Sequence, residues 1–200
     1  MTLLDVRFSD WIQRGFALFV NHALLLFMSG LVALVITALT LGLLAGPMLA
    51  GLAMMVLTLM DGRMAAPTIN DLFRGFDHVK TTIPVTVALY VIWLAVMLVV
   101  WLPGPGFVLG AVLASVGGST AVMTVFHLVA RHVTPRESAG AWWALFKANW
   151  GPLLGFYLLA TLLGSIGVYA LVIGLAVTFP LYMCMMGQAY AAIVKQSVEL

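Results

Sequence analysis

An ionisable side chain inside a bilayer is costly and usually functional, so chemistry is sought first where such a group interrupts an apolar run. His127 comes nearest: it lies about one helical turn before Arg131, at the end of a long apolar stretch. It could act as a ligand or proton site, or it could be a neutral imidazole bonded to a carbonyl or a headgroup. Gln188, Thr161 and Thr178 are polar residues within apolar runs. They read more naturally as hydrogen-bond partners between helices than as substrate ligands. His127 and Gln188 are therefore the candidate binding residues.

Met183-Cys184-Met185-Met186 invites a copper reading, because soft sulfur ligands select Cu(I). Four consecutive residues fan around a helix axis, however, and cannot all face one ion. Methionine is also a common gap filler, and a lone thiol in an apolar run behaves as a small hydrophobe. His22, His78 and His132 are not spaced as zinc ligands. Asp61, Asp71 and Asp77 are carboxylates without a readable partner. The sequence carries no HExxH, GxSxG, CxxC or P-loop motif. No catalytic residue, metal site or cofactor is expected.

The elements that would hold these residues follow from composition. Of 200 residues, 64% are hydrophobic and 8% charged, and mean hydropathy is +1.13. A soluble domain carries about 25% charged residues. The apolar runs are Ala23–Met60, Thr81–Leu102, Phe107–Ala130 and Pro152–Val194. A crossing needs about 20 residues, so the first and last runs should each fold as two helices. The first breaks near Leu41–Gly46 and the last near Gly164–Ala170. Pro103-Gly104-Pro105-Gly106 marks a turn between the middle pair. The predicted spans are 23–41, 45–60, 81–102, 107–130, 152–169 and 171–193: an all-α, polytopic bundle in one membrane domain.

All nine Lys and Arg and all seven Asp and Glu fall in Asp5–Arg14, Asp61–Lys80, Arg131–Lys147 and Lys195–Glu199. With six spans, these four stretches share one face, and positive residues favour the cytoplasmic side. Both termini are expected there. The net charge of +2 sits at membrane edges and does not point to nucleic acid. Met1–Trp11 has Asp5 and Asp10 and no early apolar core, unlike a cleavable signal peptide.

The charged stretches are themselves patterned. Phe8, Trp11, Ile12, Phe16 and Phe19 recur at helical spacing opposite Ser9, Asp10, Gln13 and Arg14, as in an interfacial amphipathic helix. Ile69, Leu72, Phe73 and Phe76 repeat the pattern behind Thr68, a predicted N-cap. Thr134-Pro135-Arg136-Glu137 is a capping box. It opens a third such helix, with Trp142, Trp143, Phe146 and Trp150 on its apolar side at headgroup depth. Arg14-Gly15-Phe16 recurs as Arg74-Gly75-Phe76, and Ala17-Leu18-Phe19 as Ala144-Leu145-Phe146. These recurrences suggest three repeat units, 1–63, 64–131 and 132–200, although such similarity is also generic to membrane hairpins. Gly110, Ala114 and Gly118, with Ala111, Ser115 and Ser119, make the fourth span a close-packing helix.

Several short motifs recur in a familiar order. Gly46-Pro47-Met48-Leu49-Ala50-Gly51 opens the second span, Asp71-Leu72-Phe73-Arg74-Gly75-Phe76 follows, and Leu102-Pro103-Gly104 ends the third. Phe146-Lys147-Ala148-Asn149-Trp150 precedes the fifth span, and Thr178-Phe179-Pro180-Leu181 lies in the sixth. The chain resembles the YciC-like bacterial six-helix membrane proteins, and is similar to the membrane domain attached to some glycerophosphodiester phosphodiesterases. That resemblance implies fold and a bacterial inner-membrane location, and no activity. The leading expectation is a non-enzymatic protein that binds membrane lipids or scaffolds a membrane complex. A transporter or channel for a small or apolar solute is the alternative, and a lipid-modifying enzyme ranks last.

Overall fold

The computed structural model describes residues 7–62, 65–131, 133–167 and 171–198. Every regular element among them is helical: α1 (Phe8–Asn21), α2 (Ala23–Leu39), α3 (Ala45–Asp61), the 3₁₀ helix η1 (Ile69–His78), α4 (Val79–Val100), α5 (Gly106–Arg131), α6 (Pro135–Ala148), α7 (Trp150–Ser165) and α8 (Leu171–Val198). Helices α2, α3, α4, α5, α7 and α8 overlie the six predicted spans to within a few residues. By length and apolar composition, residues 69–100, 106–131 and 174–196 can each cross a membrane. The pair α1 and α2, bent by 92° at their junction, makes a fourth. Helices α3 and α7 are apolar but shorter. The chain is thus a helical membrane protein with three to four candidate spans rather than a clear six.

The turns form where the sequence allows the chain to reverse. Leu41 and Gly42 adopt positive φ between α2 and α3, and the Tyr90 hydroxyl donates to the Leu41 carbonyl oxygen. Pro47 falls in the first turn of α3, where its missing N–H leaves no bond unmade. The neighbouring Gly46 N–H donates to Thr86 Oγ1 at 2.9 Å, so α4 satisfies one of the orphan donors at the start of α3. The predicted break at Gly164–Ala170 begins as α7 ends at Ser165, and its last three residues, 168–170, lie outside the described residues.

The packing follows a cycle. Helices α3, α5 and α8 touch one another at the centre. Helix α2 leans on α3 and α8, α4 on α3 and α5, and α7 on α5 and α8. Of the most apolar stretch of each helix, 56% of α8 is buried against 11% of the η1–α4 stretch, which separates the inner helix from the outer one. Each short helix in the charged regions also packs on an inner helix: α1 on α8, η1 on α3 and α6 on α5.

Small residues bring these supports close. A Cβ on Gly15 would stand 2.7 Å from Met185 Cα. One on Gly75 would stand 2.5 Å from the Gly51 nitrogen. Ser138, fully buried in α6, donates its hydroxyl to the Thr124 carbonyl oxygen of α5 at 3.1 Å. The capping pairs form as well. Thr68 N–H donates to Asp71 Oδ2 at 2.8 Å, while Thr134 and Glu137 exchange bonds at 3.3 and 3.4 Å.

Candidate functional site

The interior around α8 is filled by methionine and phenylalanine side chains. Met48, Met55, Met123, Phe126, Met183 and Met186 are all at most 2% exposed, and a Cβ on Gly187 would meet Val56, Met60 and Phe126. Cys184 and Met185 are buried too. The Met-Cys-Met-Met run thus lies inside a helix enclosed by α1, α2, α3, α5 and α7, pointing in several directions. Among the described residues, no three His, Cys, Asp or Glu come together in a metal-holding group.

Partly open spaces flank this core, one of them, of about 450 Å³, between α4, α5 and α6 beside Thr124, Arg136 and Trp143. Another void of about 450 Å³ lies between α2, α3, α5, α7 and α8, with Thr37, Leu49, Gly118, Thr161 and Tyr182 in its walls. A third, of about 490 Å³, runs along α4 past Tyr90, Trp93 and Val96. Ala45, Leu89, Ala114 and Gly118 line both of these last two, so the two adjoin across α5. Their walls are almost wholly apolar. Their polar elements are Thr37, Thr161, Ser165 and Tyr182 in the void beside α2 and Thr86 and Tyr90 in the one along α4, and the Tyr182 hydroxyl lies 3.0 Å from Ser119 Oγ.

Gly118 changes the meaning of the small-residue stripe. A Cβ there would meet nothing within 4 Å, whereas one at Gly110 would strike Val100. The expected close-packing face therefore holds at Gly110 and fails at Gly118. There the absent side chain leaves space.

His127 lies away from this chamber. Its ring meets Trp142 of α6 edge-on at 6.0 Å and Tyr190 of α8 at 6.1 Å. Trp142 and Tyr190 are 5.8 Å apart. His127 Nδ1 and Trp142 Nε1 are buried without a hydrogen-bond partner. This cluster joins α5, α6 and α8, and reads as packing. It also corrects the expectation that Trp142 faces the headgroups: Trp142 is buried, and Trp143 and Trp150 are the exposed members of that set. Phe146 stacks on Tyr157 at 5.8 Å.

Gln188 lies elsewhere again, in a polar cleft between α1 and α8. Thr161 lines the chamber, and Thr178 donates back to the Gly174 carbonyl at 3.1 Å within its own helix. Asp71 is a half-buried capping residue that also pairs with Arg74 at 3.6 Å. The bond from the Thr68 backbone N–H, with the Thr68 hydroxyl and Arg74 adding to it, holds its carboxyl below the usual range. The two candidates from sequence are thus not brought together. The one sign of the chamber in the sequence is the run of small residues on α5. The chain matches no protein-family model, no curated protein and no solved structure.

Proposed function

We propose that this is a non-enzymatic, six-crossing protein of the bacterial inner membrane that takes a lipid acyl chain into the apolar chamber. The carrying observation is the pair of adjoining voids, which share Gly118 and Ala114 and pass outward along α4. An apolar chain entering such a space leaves no polar group unpaired, and it recovers dispersion contacts that the empty walls lack. Leu94 and Leu98 on α4 and Trp101 at its C-cap are exposed, which suits a helix bathed in lipid.

The crossing number rests on charge and packing. Six crossings put every charged residue of the chain on one face, read here as cytoplasmic with both termini. Helices α3 and α7, at 17 and 16 residues, rise only about 25 Å. They pack inside the bundle on α5 and α8, so protein covers much of their surface. The cycle of supports favours three repeat units, each made of a short helix and two crossings. The likeness to YciC-like proteins agrees with this plan.

A spin-labelled fatty acyl chain added to the protein in a neutral detergent tests the reading. An immobilised spectral component that disappears in Ala114→Leu is expected. A label that tumbles as in protein-free micelles contradicts it. Transport of a small apolar solute is the second reading, favoured by the partly open chamber beside the methionine core. It requires a state in which that core opens, and solute flux in proteoliposomes would reveal it.

A further inference from the structure

The groove between α4, α5 and α6, of about 450 Å³, differs in shape and setting from the chamber. Gly118 lines the chamber and not this groove. Along α5 the walls of the groove run from Leu113 to Thr124. At about 1.5 Å per residue that stretch rises about 16 Å, close to the ~15 Å of hydrocarbon in one leaflet. Residues 106–131 are long and apolar enough to cross a membrane, so the groove is about one leaflet deep. Its two ends differ. The end at Ile92 and Leu113 is apolar, whereas Arg136 and Trp143 of α6 stand in the wall at the other. That second end lies toward Arg131, where α5 closes, and Ser138 ties α6 to it through the Thr124 carbonyl oxygen. Arg136 and Trp143 are both exposed. Tryptophan is favoured at headgroup depth, and an arginine there rests its stem on apolar surface while its guanidinium stays in water. The neighbouring carboxylate, Glu137, accepts from the Thr134 N–H at 3.3 Å.

We propose that the α4–α5–α6 groove holds one phospholipid, with an acyl chain along α5 and the phosphodiester on Arg136. An apolar trough one leaflet deep, ended by an arginine and a tryptophan, matches such a molecule in both length and polarity. A single guanidinium can hold two phosphate oxygens at once. The apolar walls give the chain dispersion contacts along its length. This inference goes beyond acyl-chain capture in the chamber. It rests on α5 crossing the bilayer and adds a second site, selective for the lipid's polar end.

The test is native mass spectrometry of the full-length protein in neutral detergent, in a Gly118→Leu background that fills the chamber. The probes are phosphatidylglycerol and a diacylglycerol with the same acyl chains. One phosphatidylglycerol should bind, in preference to the diacylglycerol. Arg136→Gln should lower that affinity about fivefold, the usual contribution of one basic residue beside an anionic lipid, and leave diacylglycerol binding as it was. Arg136→Lys should retain most of the affinity. Ala88 is an exposed wall residue on α4, and Ala88→Phe should displace both lipids while melting as its parent does without lipid. Arg136 is exposed as well, so its variants test the site even if the phenylalanine misfolds. Three results overturn the proposal: no bound lipid, undiminished phosphatidylglycerol binding in Arg136→Gln, or lipid binding indifferent to a folded Ala88→Phe. A lipid-free dimer overturns it too, and would assign the groove to a second copy of the chain. Lipid lost on Gly118→Leu alone reads the chamber, and lipid lost on Arg136→Gln or Ala88→Phe reads the groove, so the two claims fail separately.

Discussion

Gly75 of η1 lies against Gly51 of α3 so closely that backbone meets backbone. A Cβ on Gly75 would stand 2.5 Å from the Gly51 nitrogen and nearer still to the Pro47 carbonyl oxygen. Backbone cannot step aside as a flexible side chain can. Gly75→Ala should therefore destabilise the protein by about 1–3 kcal/mol through overpacking, read as a lower melting temperature in detergent. Gly140→Ala is the control: its Cβ meets nothing within 4 Å in the middle of α6. It should be neutral or stabilising by up to about 1 kcal/mol.

Thr86 supplies the partner of the Gly46 N–H at the start of α3. Thr86→Val keeps the shape and removes the acceptor, leaving a buried donor unpaired. The expected cost is about 1–3 kcal/mol. Thermal melting would show it, and an unchanged midpoint would mean that another group caps α3.

Trp142 has a buried indole N–H without a partner. Trp142→Phe keeps the aromatic contacts with His127 and Tyr190 and removes the unpaired donor. It should melt close to the native protein. Trp142→Ala should cost about 3–5 kcal/mol, the usual range for emptying a large aromatic site.

Asp71 carries a pH dependence of known sign. Its folded pKa is lowered, chiefly by the Thr68 backbone bond, so its contribution is present above the ordinary carboxylate range. That contribution fades as pH falls through the lowered value. The bond is open to solvent, so the effect is small. Asp71→Asn should flatten the acid limb of the melting-temperature profile slightly, and leave the neutral limb with a small constant loss.

Much of the helix plan was legible because apolar runs and Gly-Pro breaks are strong signals. Gly42 and Pro47 fall where the chain reverses and where α3 begins. Thr68 and Thr134 cap the helices they were expected to cap. The burial of Trp142 was not legible, since a helical pattern shows an apolar side without saying whether lipid or protein covers it. The same limit applies to α5. Gly110 and Gly118 look alike in sequence, yet one is pressed against Val100 and the other borders empty space. Spacing fixes which residues share a face, and only the placement of neighbouring helices decides whether that face is filled. Crossing number is equally hard to read at α3 and α7, whose lengths fall short of a full span while their packing places them inside.

The chamber beside Gly118 is proposed to hold an acyl chain. Native mass spectrometry of the protein extracted gently from its own membrane tests it most directly, comparing the native chain with Gly118→Leu. A leucine there enters open space, so the variant should fold and melt at least as well as the native protein. A lipid retained on the native protein and lost from the variant is the expected result. A native protein free of lipid, or a well-folded variant that retains lipid equally, would contradict it.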